Sequence, residues 1–166
     1  MTKQTTNFVL PPIRAVVLAL FCMGSAMADN DEVWLLSKSE VIFAKYEELG
    51  LKGLTDKEKV FRLVWQLEAE VNNGGFEQFF FNSSGDERAE TIKALDVIGA
   101  VETRTILLAA LEVFENSNPP INQTRRQNRL LELNKAEERT IDEIDAAFWA
   151  YPDNLSQLLL DFMRRN

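Results

Sequence analysis

The feature that most constrains this chain is a helix whose two ends are both written in the sequence. Thr55-Asp56-Lys57-Glu58 places a threonine and a glutamate three residues apart, the spacing at which each side chain satisfies a backbone amide of the first turn. Val60, Phe61, Val64, Leu67 and Val71 then recur every three or four residues, with Leu63 widening the stripe, so one side must be buried against other elements. Asn73-Gly74-Gly75 predicts the end, because glycine enters left-handed backbone without a steric penalty. Such a stripe is buried by packing helix against helix.

The rest of the chain follows the same pattern. An acidic start at Asp29 to Glu32 leads into Val33, Trp34, Leu36, Val41, Ile42, Ala44, Tyr46 and Leu49, a helical pattern closed by Gly50 and Gly53. Phe76, Phe79 and Phe80 share one side of a short helical turn that Phe81 closes. Ser84-Gly85-Asp86-Glu87 reads as a second capping box, opening a helix through Ile92, Leu95, Val97 and Ile98 to Gly99. A further helix runs from Val101 to Asn116 over Ile106, Leu107, Ala110, Leu111 and Phe114, and Pro119-Pro120 forbids its continuation. Residues 121–139 are polar, and Leu130, Leu131 and Leu133 predict a weak helix broken near Asn134, or a mobile loop. Ile141, Ile144, Phe148 and Trp149 mark a helix from Thr140 to Ala150. Pro152 separates it from a last one, Asn154 to Arg165, which buries Leu155, Leu158, Leu159 and Phe162. No stretch alternates long enough to require a strand, and no repeat or phosphate-binding glycine motif occurs. The expectation is an all-α, single compact domain of about six or seven short helices with antiparallel neighbours.

Residues 1–28 are set apart from this domain. Lys3 and Arg14 precede the apolar run Ala15 to Met23, and Ala26-Met27-Ala28 follows, the order of a cleavable signal peptide. The run falls short of the about 20 residues of a spanning helix, and Phe21 before Cys22 is too bulky for a lipid-anchor site. Cleavage near Ala28 would leave residues 29–166 periplasmic or secreted, with no membrane association. Of the chain's 18 bases the leader holds two, so 16 remain against all 26 acids.

That leader also holds the one cysteine, and the chain has no histidine. Disulfides, zinc-thiolate sites, histidine metal sites, and Ser-His-Asp or Cys-His nucleophiles are therefore excluded from the domain. The acidic balance argues against direct binding of nucleic acid or an anionic membrane. Arg125, Arg126 and Arg129, with Arg164 and Arg165, read as solvated helix ends answering nearby acids or a helix C-terminus rather than as a phosphate site. No acid cluster has calcium-loop spacing. No catalytic residue, metal or cofactor is expected.

Two constellations remain. From Asn72 to Gly85 the chain concentrates amides, glycines, serines and four phenylalanines. Asn72, Asn73, Gly74, Gly75, Gln78, Asn82, Ser83, Ser84 and Gly85, with Glu70 just before, suit a sharp corner whose amides bond exposed backbone. They also suit a recess where Glu70, Asn72, Gln78 and Asn82 converge on a small polar ligand. A hydrolase built there would rely on carboxylates such as Glu70 and Glu77, a pairing with little specificity in so acidic a chain. The second constellation is acidic: Glu138, Asp142 and Asp145 at i, i+4 and i+7, with Glu132 and Asp161 near. It reads as a solvated face or as a contact surface standing in for phosphates, which DNA presents every ~1.7 Å of its axis.

Glu70-Val71-Asn72-Asn73-Gly74-Gly75-Phe76, Gln78-Phe79-Phe80 and Asn82-Ser83-Ser84-Gly85 resemble the signature of a bacterial family of unknown function whose named member is a double-stranded-DNA mimic. Ala94-Leu95 with Ile98-Gly99-Ala100, and the run Phe148 to Leu155 around Pro152-Asp153, are similar to later parts of that family, so the likeness spans residues 60–166. The resemblance implies an all-helical fold, no catalytic residues and no cofactor. It also implies a protein partner met by acidic side chains. Joined to the leader, it gives the expectation of an exported acidic interaction domain whose partner carries a basic surface. The alternatives are a small-ligand binder or carboxylate-dependent hydrolase at Asn72–Gly85, and a cytoplasmic DNA mimic that retains its leader.

Overall fold

The computed structural model describes residues 29–165, so the leader expected over residues 1–28 lies outside the described residues. The helices are α1 (Asp29–Leu49), α2 (Asp56–Phe81), α3 (Arg88–Ile98), α4 (Val101–Ala110), α5 (Gln123–Leu131), α6 (Lys135–Trp149) and α7 (Leu155–Arg164). Short 3-10 turns link them at Leu51–Gly53, Ser83–Glu87, Leu111–Val113 and Glu115–Ser117. The described residues contain no strand, and none of their helices is long and apolar enough to cross a membrane. The domain is all-helical, as the periodicity predicts.

Helix α2 is the axis of the domain, packing against α1, α3, α5, α6 and α7, while α4 leans on α3 and α6. The expected capping box forms: Thr55 Oγ1 accepts from Glu58 N–H, and Glu58 Oε2 accepts from Thr55 N–H at 2.7 Å. Phe61, Val64, Leu67 and Val71 are buried from this helix, and Leu35, Leu95, Leu107, Ile141, Phe148 and Leu159 meet them from the others. The phenylalanine turn completes the centre, with Phe80 edge-on to Phe79 and Phe114 and Phe76 edge-on to Phe148, all at 5.1–5.7 Å.

Of the two readings left open for residues 121–139 the structure has the helix broken near Asn134, and two other expectations need correction. Residues 121–139 are ordered into α5 and the start of α6, which begins at Lys135 because Asn134 and Glu137 form a capping box of their own. Ser84 and Glu87 form none. Ser84 is buried in the 3-10 turn, and Glu87 turns to Arg62, whose Nη1 it meets at 2.6 Å. The fourth helix stops at Ala110 and gives way to 3-10 turns before the prolines.

Candidate functional site

The stretch Asn72–Gly85 holds a break inside α2, at Gly74 and Gly75, and the turn that follows its end. Gly74 (φ −166°, ψ 31°) and Gly75 (φ 69°, ψ −174°) leave the helical region, and the chain re-enters it at Phe76. The Gly75 backbone is of a kind open essentially only to glycine. Both helix ends created by the break are capped from α6. Phe76 N–H donates to Asp145 Oδ1 at 2.8 Å, and Trp149 Nε1–H donates to Val71 O at 3.2 Å. A Cβ at Gly75 would lie 2.0 Å from Asp145 Oδ2, so the glycine also makes room for its own cap.

Glu70 organises the polar side of the corner. It is 3% exposed. Its Oε1 accepts from Gln66 Nε2 at 2.9 Å, and its Oε2 accepts from Gln78 Nε2 at 2.7 Å and Asn82 Nδ2 at 2.9 Å. Ser84 Oγ lies 3.3 Å from Glu70 Oε1 and 3.0 Å from Phe79 O, with one proton for the two acceptors. Exposed Asn73 orients the network by donating to Gln78 Oε1 at 2.8 Å. Buried polar groups in such a set satisfy one another. Glu70, Gln78 and Asn82 therefore do converge, but on each other. Asn72 points elsewhere, donating to Tyr151 Oη at 2.6 Å. Ser83 is exposed at the start of the 3-10 turn.

The far end of the motif is held by Arg126, which is 0% exposed. Its guanidinium donates to Phe80 O (2.5 Å), Pro120 O (2.9 Å) and Asn82 O (3.0 Å), and pairs with Asp86 Oδ1 at 2.8 Å. Gln123 and Gln127 donate to Phe81 O from the same helix, α5. Sequence reading placed Arg126 at a solvated helix end; it does answer a helix C-terminus, but from inside the protein. A Cβ at Gly85 would meet Arg126 Nε at 2.8 Å and Phe80 O at 2.9 Å, which is why that turn carries no side chain.

The acidic constellation separates. Glu132, Asp142 and Asp161 are exposed, Glu138 is half-buried, and Asp145 is 7% exposed beneath the break. Asp145 is thus a helix cap and not part of a contact surface. Burial pushes its pKa up to about 6, the Phe76 N–H pulls against this, and the nearby charges of Asp142 and Glu77 add to it. Glu77 and Asp142 thereby bring exposed carboxylates of α2 and α6 to one place. Among the described residues no group of three or more acids could hold a metal ion.

Sequence reading missed Glu68. It stands in the apolar stripe between Val64 and Val71, 5% exposed, with no hydrogen-bond donor or base beside it among the described residues. Burial pushes its carboxyl up to about pKa 7, and its charge joins burial in raising the Tyr151 hydroxyl. An acid in phase with a buried stripe was the available signal. Tyr151 has φ 49°, unusual for a side chain of its size.

Neither the curated proteins nor the solved structures compared with the chain give a match. The family model described as DMP19-like protein matches residues 52–166, from the turn before α2 through α7, and includes the break, the Glu70 network and the Arg126 cap. On that match, and on the motif that its fold encloses, the chain belongs to the DMP19-like, DNA-mimic-like family.

Proposed function

We propose that this domain is a non-catalytic interaction module that offers acidic side chains to the basic, DNA-binding face of a protein partner. Membership of the DMP19-like family carries the reading. The excess of acids over bases supports it, as do the exposed carboxylates of Glu77, Asp142, Glu132 and Asp161. Carboxylates on rigid helices keep fixed spacings, which a phosphate stand-in needs. The mutual engagement of Glu70, Gln78 and Asn82 favours a scaffold role for the motif over a ligand recess or a hydrolytic site. Export is supported by the charged, apolar and A-x-A order of residues 1–28 alone.

The test is competition. A partner recovered by cross-linking should bind the domain or duplex DNA, not both, and its affinity should fall steeply with salt. Charge reversal at Asp142 and Glu77 together should weaken it. A partner that holds DNA and the domain at once, or is indifferent to salt, would overturn the reading. Mass spectrometry of the protein from an exported fraction tests export separately, with a mature N-terminus at Asp29 expected.

A further inference from the structure

Helix α6 and the turn after it are tied to α2 around its break by three hydrogen bonds. Asp145 Oδ1 accepts from Phe76 N–H at 2.8 Å, Val71 O accepts from the Trp149 indole at 3.2 Å, and Tyr151 Oη accepts from Asn72 Nδ2 at 2.6 Å. Gly74 and Gly75, where α2 leaves helical geometry, lie in the middle of this junction. A helix interrupted at two glycines bends more readily there than elsewhere, so the contact with α6 fixes the angle between the two halves of α2.

Two carboxyl groups are buried in the junction, Asp145 at 7% exposure and Glu68 at 5%. Glu68 stands three residues before Val71 and four before Asn72, one turn along the face of α2 that carries two of the three bonds. A buried carboxylate ordinarily gains a base or several donors in return for its lost hydration. Glu70 gains three amides. Among the described residues Asp145 gains one backbone N–H and Glu68 gains no donor.

Nor is a base set against either. The charges acting on Asp145 are Asp142, on its own helix, and Glu77, next to Phe76 on α2, and both are negative. The titratable group facing Glu68 is the Tyr151 hydroxyl. Bases of the neighbouring helices turn elsewhere. Lys45 of α1 pairs with Glu58, Arg88 of α3 donates to Pro119 O, and Arg104 of α4 pairs with Asp96. Arg126 and Arg129 of α5 pair with Asp86 and Glu137, and Arg164 of α7 with Asp31. Arg62 of α2 itself pairs with Glu87, while Lys135 and Arg139 of α6 are exposed on turns before Asp145.

We infer that the α2–α6 junction is a pH-sensitive seam, closed in mildly acidic solution and parting at the glycine break as Asp145 and Glu68 ionise. Ionisation puts one charge on each side of the seam, and opening rehydrates both while the first half of α2 stays folded. Burial raises Asp145 to about 6 and Glu68 to about 7, so opening is favoured as pH rises through those values. Glu77 and Asp142 stand on opposite sides, so opening also alters the spacing of two contact acids; this consequence alone rests on the interaction reading above.

Hydrogen exchange on the purified full-length chain, at about pH 5 and about pH 8 and corrected for the intrinsic rate at each, tests the seam. Protection of the Phe76 amide and the Trp149 indole should fall about tenfold or more between the two, and that of the Phe61–Leu67 amides should fall less. The fall should shrink in Glu68→Gln and in Asp145→Asn and vanish in the double variant. Glu68→Gln removes a charge without removing a hydrogen bond, so its result stands even where Asp145→Asn folds poorly. Protection that is independent of pH, that falls in step with Phe61–Leu67, or that still falls in the double variant would overturn the seam. The measurement needs no partner: a failed DNA competition leaves the seam standing, and a pH-independent junction leaves the interaction module standing.

Discussion

Gly75 and Asp145 are one structural unit although 70 positions separate them in the chain. Replacing Gly75 with alanine meets both a positive φ and a carboxylate at 2.0 Å, so it should destabilise the domain by about 3 kcal/mol or more, read by urea unfolding. Asp145→Ala removes only the cap and should cost about 1–2 kcal/mol, whereas Asp145→Asn retains an acceptor and should cost less. The two buried acids also set a pH dependence. Glu68 rises from 4.5 to about 7 and Asp145 from 3.8 to about 6, so the folded state binds more protons than the unfolded chain between those values. Stability should therefore fall as pH rises from about 4 to about 7, with both penalties absent below that window. Glu58 and Glu137, held below the usual carboxylate range by Lys45 and Arg129 respectively, work in the opposite sense at more acidic pH. Glu68→Gln should flatten the fall and raise stability at pH 8 by up to about 3 kcal/mol, with little change at pH 4. An unchanged slope would show that Glu68 does not titrate there.

At the scale of elements, α5 matters because of what it does to α2. Its buried guanidinium and two amides answer carbonyls that the end of α2 leaves unpaired, so α5 secures the motif from outside it. Arg126→Met leaves those carbonyls and Asp86 unanswered and should cost about 3–5 kcal/mol. Arg126→Lys should recover little, since a point charge cannot reach four oxygens in a fork. Hydrogen exchange of the Phe79–Gly85 amides would show whether the loss is local to the α2 terminus. The first, central and last helices were legible because their apolar spacing and end signals agree. Helix α5 was legible only as a weak helix with a loop as its alternative, since its buried positions include an arginine, a residue that periodicity scores as solvent-facing. The Asn134–Glu137 box was readable by the same rule as Thr55–Glu58. At Ser84–Glu87 the same spacing misled, because Ser84 and Glu87 had stronger partners in Glu70 and Arg62.

The whole molecule shows the same division. The family match begins at residue 52, beyond α1, yet α1 is stitched to the rest. Leu35 and Ile42 are buried, Tyr46 lies 3.6 Å from the Arg62 guanidinium, and Lys45 pairs with Glu58 at 2.7 Å. A chain starting at residue 52 should lose about 3–6 kcal/mol from those two apolar side chains alone and bind an apolar dye more strongly. Equal stability of the two chains would show that α1 is not integral. By itself the sequence determined the helical class, the broken central helix, the family and the acidic balance, since these depend on local spacing, glycine backbone and composition. Tertiary structure alone decided that Asp145 caps a helix rather than faces a partner, that Arg126 lies inside, and that Glu70 gains three amide donors while Glu68 gains none. The reason is physical: burial and hydrogen-bond partners are set by residues 4 to 69 positions away, and no local pattern records which of two similar acids meets them.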